Sequence, residues 1–137
     1  MNKCSDGYYK NNHSCYLLQY HLVLVTKYRH PVITGEIERF LKWYTKDFFT
    51  DREMNVLELE CMPDHIHVLF ECMPNINLAD FINAYKSASS RKVRKYYARE
   101  LQPYYWKPYF WSKSYFIGSV SEQTTQVVET YIRNQKK

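Results

Sequence analysis

Two histidines separated by one residue are the first side chains in this sequence whose types and spacing could do chemistry. They lie in the stretch MPDHIHVLF, where a proline turn leads into an apolar run. Because alternate residues of a β-strand point to opposite faces, His65 and His67 share one face, while Ile66, Val68 and Phe70 share the other. Two adjacent imidazoles suit one metal ion or one phosphate. Histidines also occur on strands as ordinary hydrogen-bonded residues, and this chain has 5 of them.

A hard cation such as Mg²⁺ prefers oxygen ligands, so the two imidazoles need an oxygen donor from elsewhere in the protein. The C-terminal segment offers one, because Gln135 follows Tyr131 by four residues and the two side chains share one stripe of a helix. If that stripe docks over the histidines, His65, His67 and Gln135 could bind one metal. Tyr131 would then be a nucleophile beside a charge-stabilising cation. The chain has 14 tyrosines, and residue type alone does not select this one.

Hydrophobic periodicity predicts the elements that must position these residues. The predicted order is strand, helix, strand, strand, helix, strand, helix, which is typical of a ferredoxin-like α+β fold, a split βαβ sandwich. We expect an antiparallel sheet with helices on one face, a C-terminal helix that carries the tyrosine, and the histidine strand at the centre, with its imidazoles on the open face. The predicted segments are a strand at 16–26, a helix capped by Thr34 and ending near Asp51, a hairpin covering NVLELECM and HIHVLFECM, a helix starting at Asn75 or Asn77, a strand WSKSYFIGSV, and a helix from Ser121.

Length and composition predict one domain at residues 16–137, preceded by a flexible arm at 1–15. The chain has 45% hydrophobic and 18% aromatic residues in 137 positions, which argues against disorder. No apolar run is long enough to span a membrane and no signal peptide is recognisable, so we expect a cytoplasmic protein with no membrane partner. The 4 cysteines show no C-x-x-C pair and are expected to be reduced thiols.

The basic excess is concentrated in one segment. The net charge is +5, and between Lys86 and Arg99 there are six basic residues and no acidic ones. Such a segment is either a solvated helix face or a surface for a polyanion, and the missing acids favour nucleic acid. The motif TKYRH adds two more basic side chains. The candidate DNA contacts are therefore Lys27, Arg29, Lys86, Arg91, Lys92, Arg94 and Lys95.

Four motifs in this order resemble the single-tyrosine HUH transposases of the TnpA type, which mobilise small insertion sequences. They are YHLVLVTKYRHPV, MPDHIHVLF, KSASSRKVRK and WSKSYFIGSVSEQTTQVVETYIRNQ, and they span about residues 16–135. The resemblance makes 16–137 a single catalytic HUH domain. It departs at SVSEQT, where many relatives carry a glycine-rich VGG, so completion of the site in cis or in trans is left open.

The resemblance implies a complete reaction. His65 and His67 would bind Mg²⁺ or Mn²⁺ with Gln135 as the third ligand, and Tyr131 would attack single-stranded DNA to leave a 5′-phosphotyrosine. A free 3′-OH would reverse this metal-assisted transesterification, so that the transposase cuts and rejoins strands at the ends of the insertion sequence. The implied partners are single-stranded DNA with hairpin ends and a second copy of the chain, in a homodimer whose tyrosine helices are exchanged.

Two other functions are compatible with parts of the sequence. A non-catalytic, single-stranded nucleic-acid-binding module of ferredoxin-like fold would explain the basic segment and the neighbouring tyrosines, but not a histidine pair matched by a Tyr-x-x-x-Gln helix. A zinc hydrolase using Cys61 with His65 and His67 is the third possibility, although no general base beyond Asp64 or Glu60 is near in sequence.

Overall fold

A computed structural model describes residues 2–3, 8–10, 15–16, 18–120 and 124–135. Its larger sheet contains four strands, and three short strands near the N-terminus form a second sheet. No helix within the described ranges is long and apolar enough to cross a membrane. In chain order the β-strands and α-helices are β1 Asn2–Lys3, β2 Tyr9–Lys10, β3 Cys15–Tyr16, β4 Leu18–Val25, α1 Gly35–Asp51, β5 Asn55–Met62, β6 His65–Cys72, α2 Leu78–Tyr96, α3 Ala98–Leu101, β7 Phe116–Ser119 and α4 Thr124–Arg133. A short 3-10 turn at Lys27–Arg29 follows β4.

The larger sheet has the strand order β5-β6-β4-β7, and every neighbouring pair is antiparallel. Strands β5 and β6 form the predicted hairpin, and β6 lies between β5 and β4 at the centre. This order and the helices between the strands confirm the α+β, ferredoxin-like prediction. In the predicted N-terminal arm at 1–15 and at residue 16, the backbones of β1, β2 and β3 pair as an antiparallel sheet.

Helices α1 and α2 cover one face of the sheet because the apolar side chains of β6 point to that face. Ile66, Val68 and Phe70 are fully buried, and the Phe70 ring lies 5.2 Å from that of Phe49 on α1 in an edge-to-face contact. Tyr85 of α2 completes this layer and is also fully buried. The alternation predicted for β6 is therefore confirmed.

The helix starts agree with the sequence, with one difference. Asn77 caps α2, and its side chain accepts a hydrogen bond from the Asp80 backbone N–H at 3.1 Å. Thr34 occupies the N-cap of α1 but its side chain makes no capping hydrogen bond. The backbone carbonyl of Thr34 accepts from the first turn instead.

The chain after α3 is less regular than predicted. The predicted strand WSKSYFIGSV is reduced to β7, because Trp111 forms only an isolated bridge with Thr26 and the intervening residues leave the ladder. Helix α4 then packs on the sheet face opposite α1 and α2, where Val128 contacts Val23 and Val25 of β4. The predicted start of this helix at Ser121 lies outside the described residues.

Candidate active site

The two histidines of β6 lie on the face opposite the main core, as predicted. Both are partly buried and line a cavity of about 300 Å³ together with side chains from β4, β5 and α4. The other residues around this cavity are His21, Glu60, Val128, Glu129 and Ile132. The histidine face is therefore a recess between the sheet and α4 rather than an open surface.

Asp64 fixes the orientation of His65. Its Oδ1 lies 2.8 Å from Nδ1 of His65, and its Oδ2 accepts a hydrogen bond from Nε of Arg29 at 3.1 Å. Because Asp64 takes Nδ1, the Nε2 atom of His65 is left for another partner. Burial raises the pKa of Asp64, but the hydrogen bonds and positive charges of His65 and Arg29 outweigh it and lower that pKa below its usual value.

A strained turn brings Arg29 to Asp64. Tyr28 and Arg29 both have positive φ angles, 60° and 55°, which are costly for residues with a side chain. The turn follows β4 directly and is held by a hydrogen bond from the Thr26 N–H to the Asp64 carbonyl at 2.9 Å. Arg29, predicted to contact phosphate, has a carboxylate partner in this structure.

His67 has an imidazole partner that the sequence analysis did not identify. Its Nε2 lies 2.6 Å from Nδ1 of His21 on β4. Burial lowers the pKa of both rings, and in His67 the charge of His21 adds to this effect, so both are neutral near pH 7. The strand register explains this contact, because Val23 pairs with His67 and His21 lies two residues away on the same face. The only sequence signal is that His21 is a histidine within a predicted strand.

Cys61 lies on the wrong face to join the histidines. It pairs with Ile66 across the hairpin and packs against the main core, beneath α1. Burial raises the pKa of its thiol to about 11, so it is protonated at neutral pH. The zinc site of Cys61, His65 and His67 considered from the sequence is therefore wrong.

Tyr131 and Gln135 lie together on α4, as their spacing predicts. The Tyr131 hydroxyl is 2.9 Å from Oγ of Ser114, which also donates to Oε1 of Gln135 at 3.5 Å. The Tyr131 ring packs 5.8 Å from that of Phe116 on β7. Burial raises the pKa of the phenol, partly offset by the hydrogen bond between Tyr131 and Ser114, so Tyr131 is protonated at neutral pH.

The histidine pair and the Tyr131–Gln135 pair do not line a common cavity in this chain. From α4, Val128, Glu129 and Ile132 face the histidines, while Tyr131 lines a separate apolar recess beside Phe116. Among the residues that the structure describes, no three His, Cys, Asp or Glu side chains converge to hold a metal ion. The imidazoles of His65 and His67 fit as part of a cation site, which needs a further oxygen donor.

The basic residues divide between the two sides of α2. Arg91 and Arg94 line a groove of about 410 Å³ together with Lys113 and an aromatic wall. Lys86 borders the same groove, but its Nζ donates to the carbonyl oxygens of Ser112 and Lys113, each at 2.8 Å. On the other side, Lys92 lies over the ring of Tyr44 and Lys95 over that of Tyr96. Lys27 lies over the rings of Tyr28 and Tyr109.

Comparison with known proteins gives consistent matches over nearly the whole chain. The family model described as IS200-like transposase matches residues 14–135. The chain is 38% identical over 120 residues to the ISDra2 transposase TnpA of Deinococcus radiodurans, covering 88% of this chain and 85% of that protein. It is 28% identical over 123 residues to the transposase of insertion sequence IS200 from Salmonella typhimurium, covering 90% and 80%. A crystal structure from Deinococcus radiodurans whose protein is assigned as a transposase matches with a TM-score of 0.86 and 36% identity, covering 93% of this chain and 98% of that one.

Proposed function

Because the chain belongs to the IS200-like transposase family, as its motifs indicated, we propose that it cuts and rejoins single-stranded DNA at insertion-sequence ends through a 5′-phosphotyrosine. One observation carries this proposal. A sheet face that bears His65 and His67 is packed against the helix that bears Tyr131 and Gln135. A binding module has no need for this combination of a histidine pair and a phenol.

Tyr131 is the proposed nucleophile. Its Oη attacks the phosphorus of the scissile diester, the bond between phosphorus and the 3′-oxygen breaks, and the 3′-oxygen takes a proton as the phenol loses one. The product is a tyrosyl 5′-phosphate and a free 3′-OH. Because one diester replaces another, a 3′-OH can attack the phosphotyrosine and rejoin the strands without an external energy source.

His65, His67 and Gln135 are the proposed ligands of Mg²⁺ or Mn²⁺. When bound, the ion would stabilise charge on the phosphate and favour the phenolate form of Tyr131. Asp64 contributes by holding His65 with Nε2 directed away from the carboxylate. Burial keeps His67 neutral, and binding of a metal ion through its Nε2 would displace the contact of that atom with His21. The amide oxygen of Gln135 would supply the oxygen donor that two imidazoles lack.

The proposed assembly is a cytoplasmic homodimer. Within one chain Tyr131 hydrogen-bonds to Ser114 and faces Phe116, so its hydroxyl does not line the histidine cavity. A second copy whose helix supplies Tyr131 and Gln135 would complete the site in trans. The DNA partner would be single-stranded with hairpin ends, and the proposed phosphate contacts are Lys27, Arg29, Lys86, Arg91, Lys92, Arg94 and Lys95.

A covalent-adduct assay tests the reaction directly. The protein is incubated with Mg²⁺ and labelled single-stranded DNA from the flanks of its own gene, and the products are separated under denaturing conditions. We expect an adduct with the wild type and with Tyr96→Phe, a matched control at an exposed tyrosine of α2. We expect none with Tyr131→Phe, and none with His67→Ala although that variant remains folded by circular dichroism.

Each outcome of the adduct assay has a definite meaning. An undiminished adduct in Tyr131→Phe would show that another residue is the nucleophile. Tight binding to every strand tested, with no adduct from any of them, would favour the non-catalytic module. Loss of the adduct in Gln135→Ala, with restoration at higher Mn²⁺, would support its proposed role as a ligand.

A further inference from the structure

Trp106 is exposed to an unusual degree. It is 86% accessible, more than any other large hydrophobic side chain in the described part of the chain. It lies in the loop at residues 102–109, and the ammonium of Lys107 sits 4.8 Å from the centre of its ring. One face of an indole beside a cation is thus presented to solvent, where it gains nothing for the fold.

The same loop contributes to a continuous cluster of rings. The His30 ring lies 5.5 Å from that of Tyr104 and 5.8 Å from that of Tyr28, which in turn lies 6.0 Å from Tyr109. Tyr28 and Tyr104 are both exposed. Trp106 lies in the same loop, between Tyr104 and Tyr109 in sequence. We call the four clustered rings Tyr28, His30, Tyr104 and Tyr109, together with Trp106, the aromatic platform.

The platform has a fixed backbone beneath it. The buried Tyr105 donates its hydroxyl proton to the Lys27 carbonyl oxygen at 2.7 Å, and the Lys27 N–H donates to the Phe110 carbonyl oxygen at 2.8 Å. These bonds tie the loop to the turn that follows β4. The positive φ of Tyr28 belongs to the same turn, so a strained backbone holds an exposed ring in place.

The electrostatics of the platform favour a polyanion. Lys27 lies 5.0 Å from the ring centre of Tyr109, and Lys107 covers Trp106. The sequence from Leu101 to Gly118 and the motif TKYRH contain no acidic residue. Arg29 is paired with Asp64, so the ammonium groups of Lys27 and Lys107 supply the positive charge beside the rings. A nucleic acid uses both features, because its bases stack on rings and its phosphates bind ammonium groups.

The platform also adjoins the candidate active site. Arg29, between Tyr28 and His30, is bonded to Asp64, which holds His65. A strand with a phosphate at His65 would therefore have its neighbouring nucleotides close to the rings. Only unpaired bases can stack on them, because the faces of paired bases are covered by their neighbours in the duplex.

We propose that the aromatic platform binds single-stranded DNA by stacking unpaired bases, with Trp106 as the main stacking surface. This proposal rests on the proposed function only for which DNA strand is bound, because the exposed rings and their neighbouring lysines are observed independently of any reaction. It predicts binding that depends on bases as well as on phosphates. The basic groove of α2 alone would bind any polyanion of the same charge.

Binding measurements on three ligands test this proposal. The ligands are an oligothymidylate of about 12 nucleotides, an abasic strand of equal length and a duplex of equal length, a range usual for a single-strand binder. We expect Trp106→Ala to weaken oligothymidylate binding about tenfold, as loss of one stacked base does. Its affinity for the abasic strand and for the duplex should not change.

Trp43→Ala is the matched control, because Trp43 is also an exposed indole, 62% accessible, but lies on α1 away from the platform. This control should bind all three ligands like the wild type. Equal affinity of Trp106→Ala and wild type for oligothymidylate would overturn the proposal. An equal loss on the abasic strand would also overturn it, since the effect would then not involve bases.

All binding measurements are made in the Tyr131→Phe background, in which the proposed nucleophile is absent, so the reference protein for Trp106→Ala and Trp43→Ala has the wild-type tryptophans and Phe at position 131. A base-dependent loss with Trp106→Ala then supports stacking even if the wild type never forms an adduct. Adduct formation by the wild type without any effect of Trp106→Ala would leave the strand-transfer reaction intact and eliminate the stacking surface. The two proposals therefore fail by different observations.

Discussion

The contact between Arg29 and Asp64 should stabilise the fold and hold a proposed metal ligand at the same time. Two guanidinium nitrogens of Arg29, Nε and Nη2, each lie 3.1 Å from Oδ2 of Asp64. The side chains are only 22% and 21% exposed, so water screens the pair less than a surface pair. The test is a double-mutant cycle with Arg29→Gln, Asp64→Asn and the two combined.

The expected coupling energy follows from this burial. Exposed ion pairs contribute about 0.2–1 kcal/mol, and hydrogen bonds to charged groups contribute about 1.5–3 kcal/mol when well shielded. We therefore expect the Arg29–Asp64 coupling to be about 1–2 kcal/mol in the free energy of unfolding, measured by urea denaturation at pH 7. Glu38 and Lys42, an exposed i,i+4 pair on α1 at 3.4 Å, provide a control cycle expected to give about 0.3–0.5 kcal/mol.

The pH dependence has a definite sign. Since the pKa of Asp64 is lowered in the folded chain, the stability that it contributes is complete above its ordinary value of 3.8 and is lost as the pH falls through the lowered value. The coupling should therefore be constant from pH 7 to about pH 5 and decline only below the ordinary pKa. A coupling that already disappears between pH 7 and pH 5 would show that Asp64 is not the titrating partner.

The second readout is the affinity for Mn²⁺, followed by electron paramagnetic resonance. Loss of a carboxylate that orients a ligating histidine typically weakens metal binding about 10- to 100-fold, and Asp64→Asn should fall in this range. Arg29→Gln should have a smaller effect in the same direction, because Asp64 still accepts from His65. Additive stabilities combined with an unchanged Mn²⁺ affinity in both variants would refute this reasoning and return Arg29 to the predicted role of a phosphate contact.

Two further predictions concern polar groups that are partly or fully buried. Lys86→Met should lower the free energy of unfolding by about 1–2 kcal/mol, because two loop carbonyls lose their donor. The control Lys95→Met, at an exposed position, should change the free energy of unfolding little. A loss of DNA affinity without a loss of stability would show that Lys86 mainly contacts phosphate. Burial raises the thiol pKa values of Cys61 and Cys72 to about 11. Both should therefore react with iodoacetamide far more slowly than a free thiol at pH 8, and faster as the pH approaches 11, as followed by mass spectrometry. Rapid alkylation of these two residues in the folded protein at pH 8 would contradict their burial.

The sheet and the histidine face could be predicted from sequence because both depend on local periodicity. Alternation within β6 is enough to separate His65 and His67 from Ile66, and the short connection at Pro63 and Asp64 implies a hairpin. The order of strands then follows from a connection rule for split βαβ folds. These predictions can be made without knowing which side chains are in contact across the sheet.

The contacts around the histidines could not be predicted because they depend on distant residues. His21 meets His67 through the register of two strands 46 residues apart in sequence, and hydrophobic patterning does not specify that register. The contact of Arg29 with Asp64 depends on positive φ angles at Tyr28 and Arg29, for which neither residue type gives a signal. A basic side chain in a sequence motif therefore suggests a phosphate contact even where folding pairs it with a carboxylate.

The rotation of α4 favours the proposed exchange of helices between subunits. Residues three apart in a helix are separated by about 60° around its axis, so the stripe of Tyr131 and Gln135 lies beside the stripe of Val128 and Ile132 rather than on it. Tyr131 packs against the edge of the same apolar cluster. In this chain the apolar stripe contacts β4 and the histidine cavity. Rotating α4 to aim Tyr131 at His67 would expose Val128, and exposing one apolar side chain costs about 1.5–3 kcal/mol. The rotation would also break the hydrogen bond between Tyr131 and Ser114. A second chain that approaches the histidine face with its own α4 avoids the need to turn this helix on its own sheet.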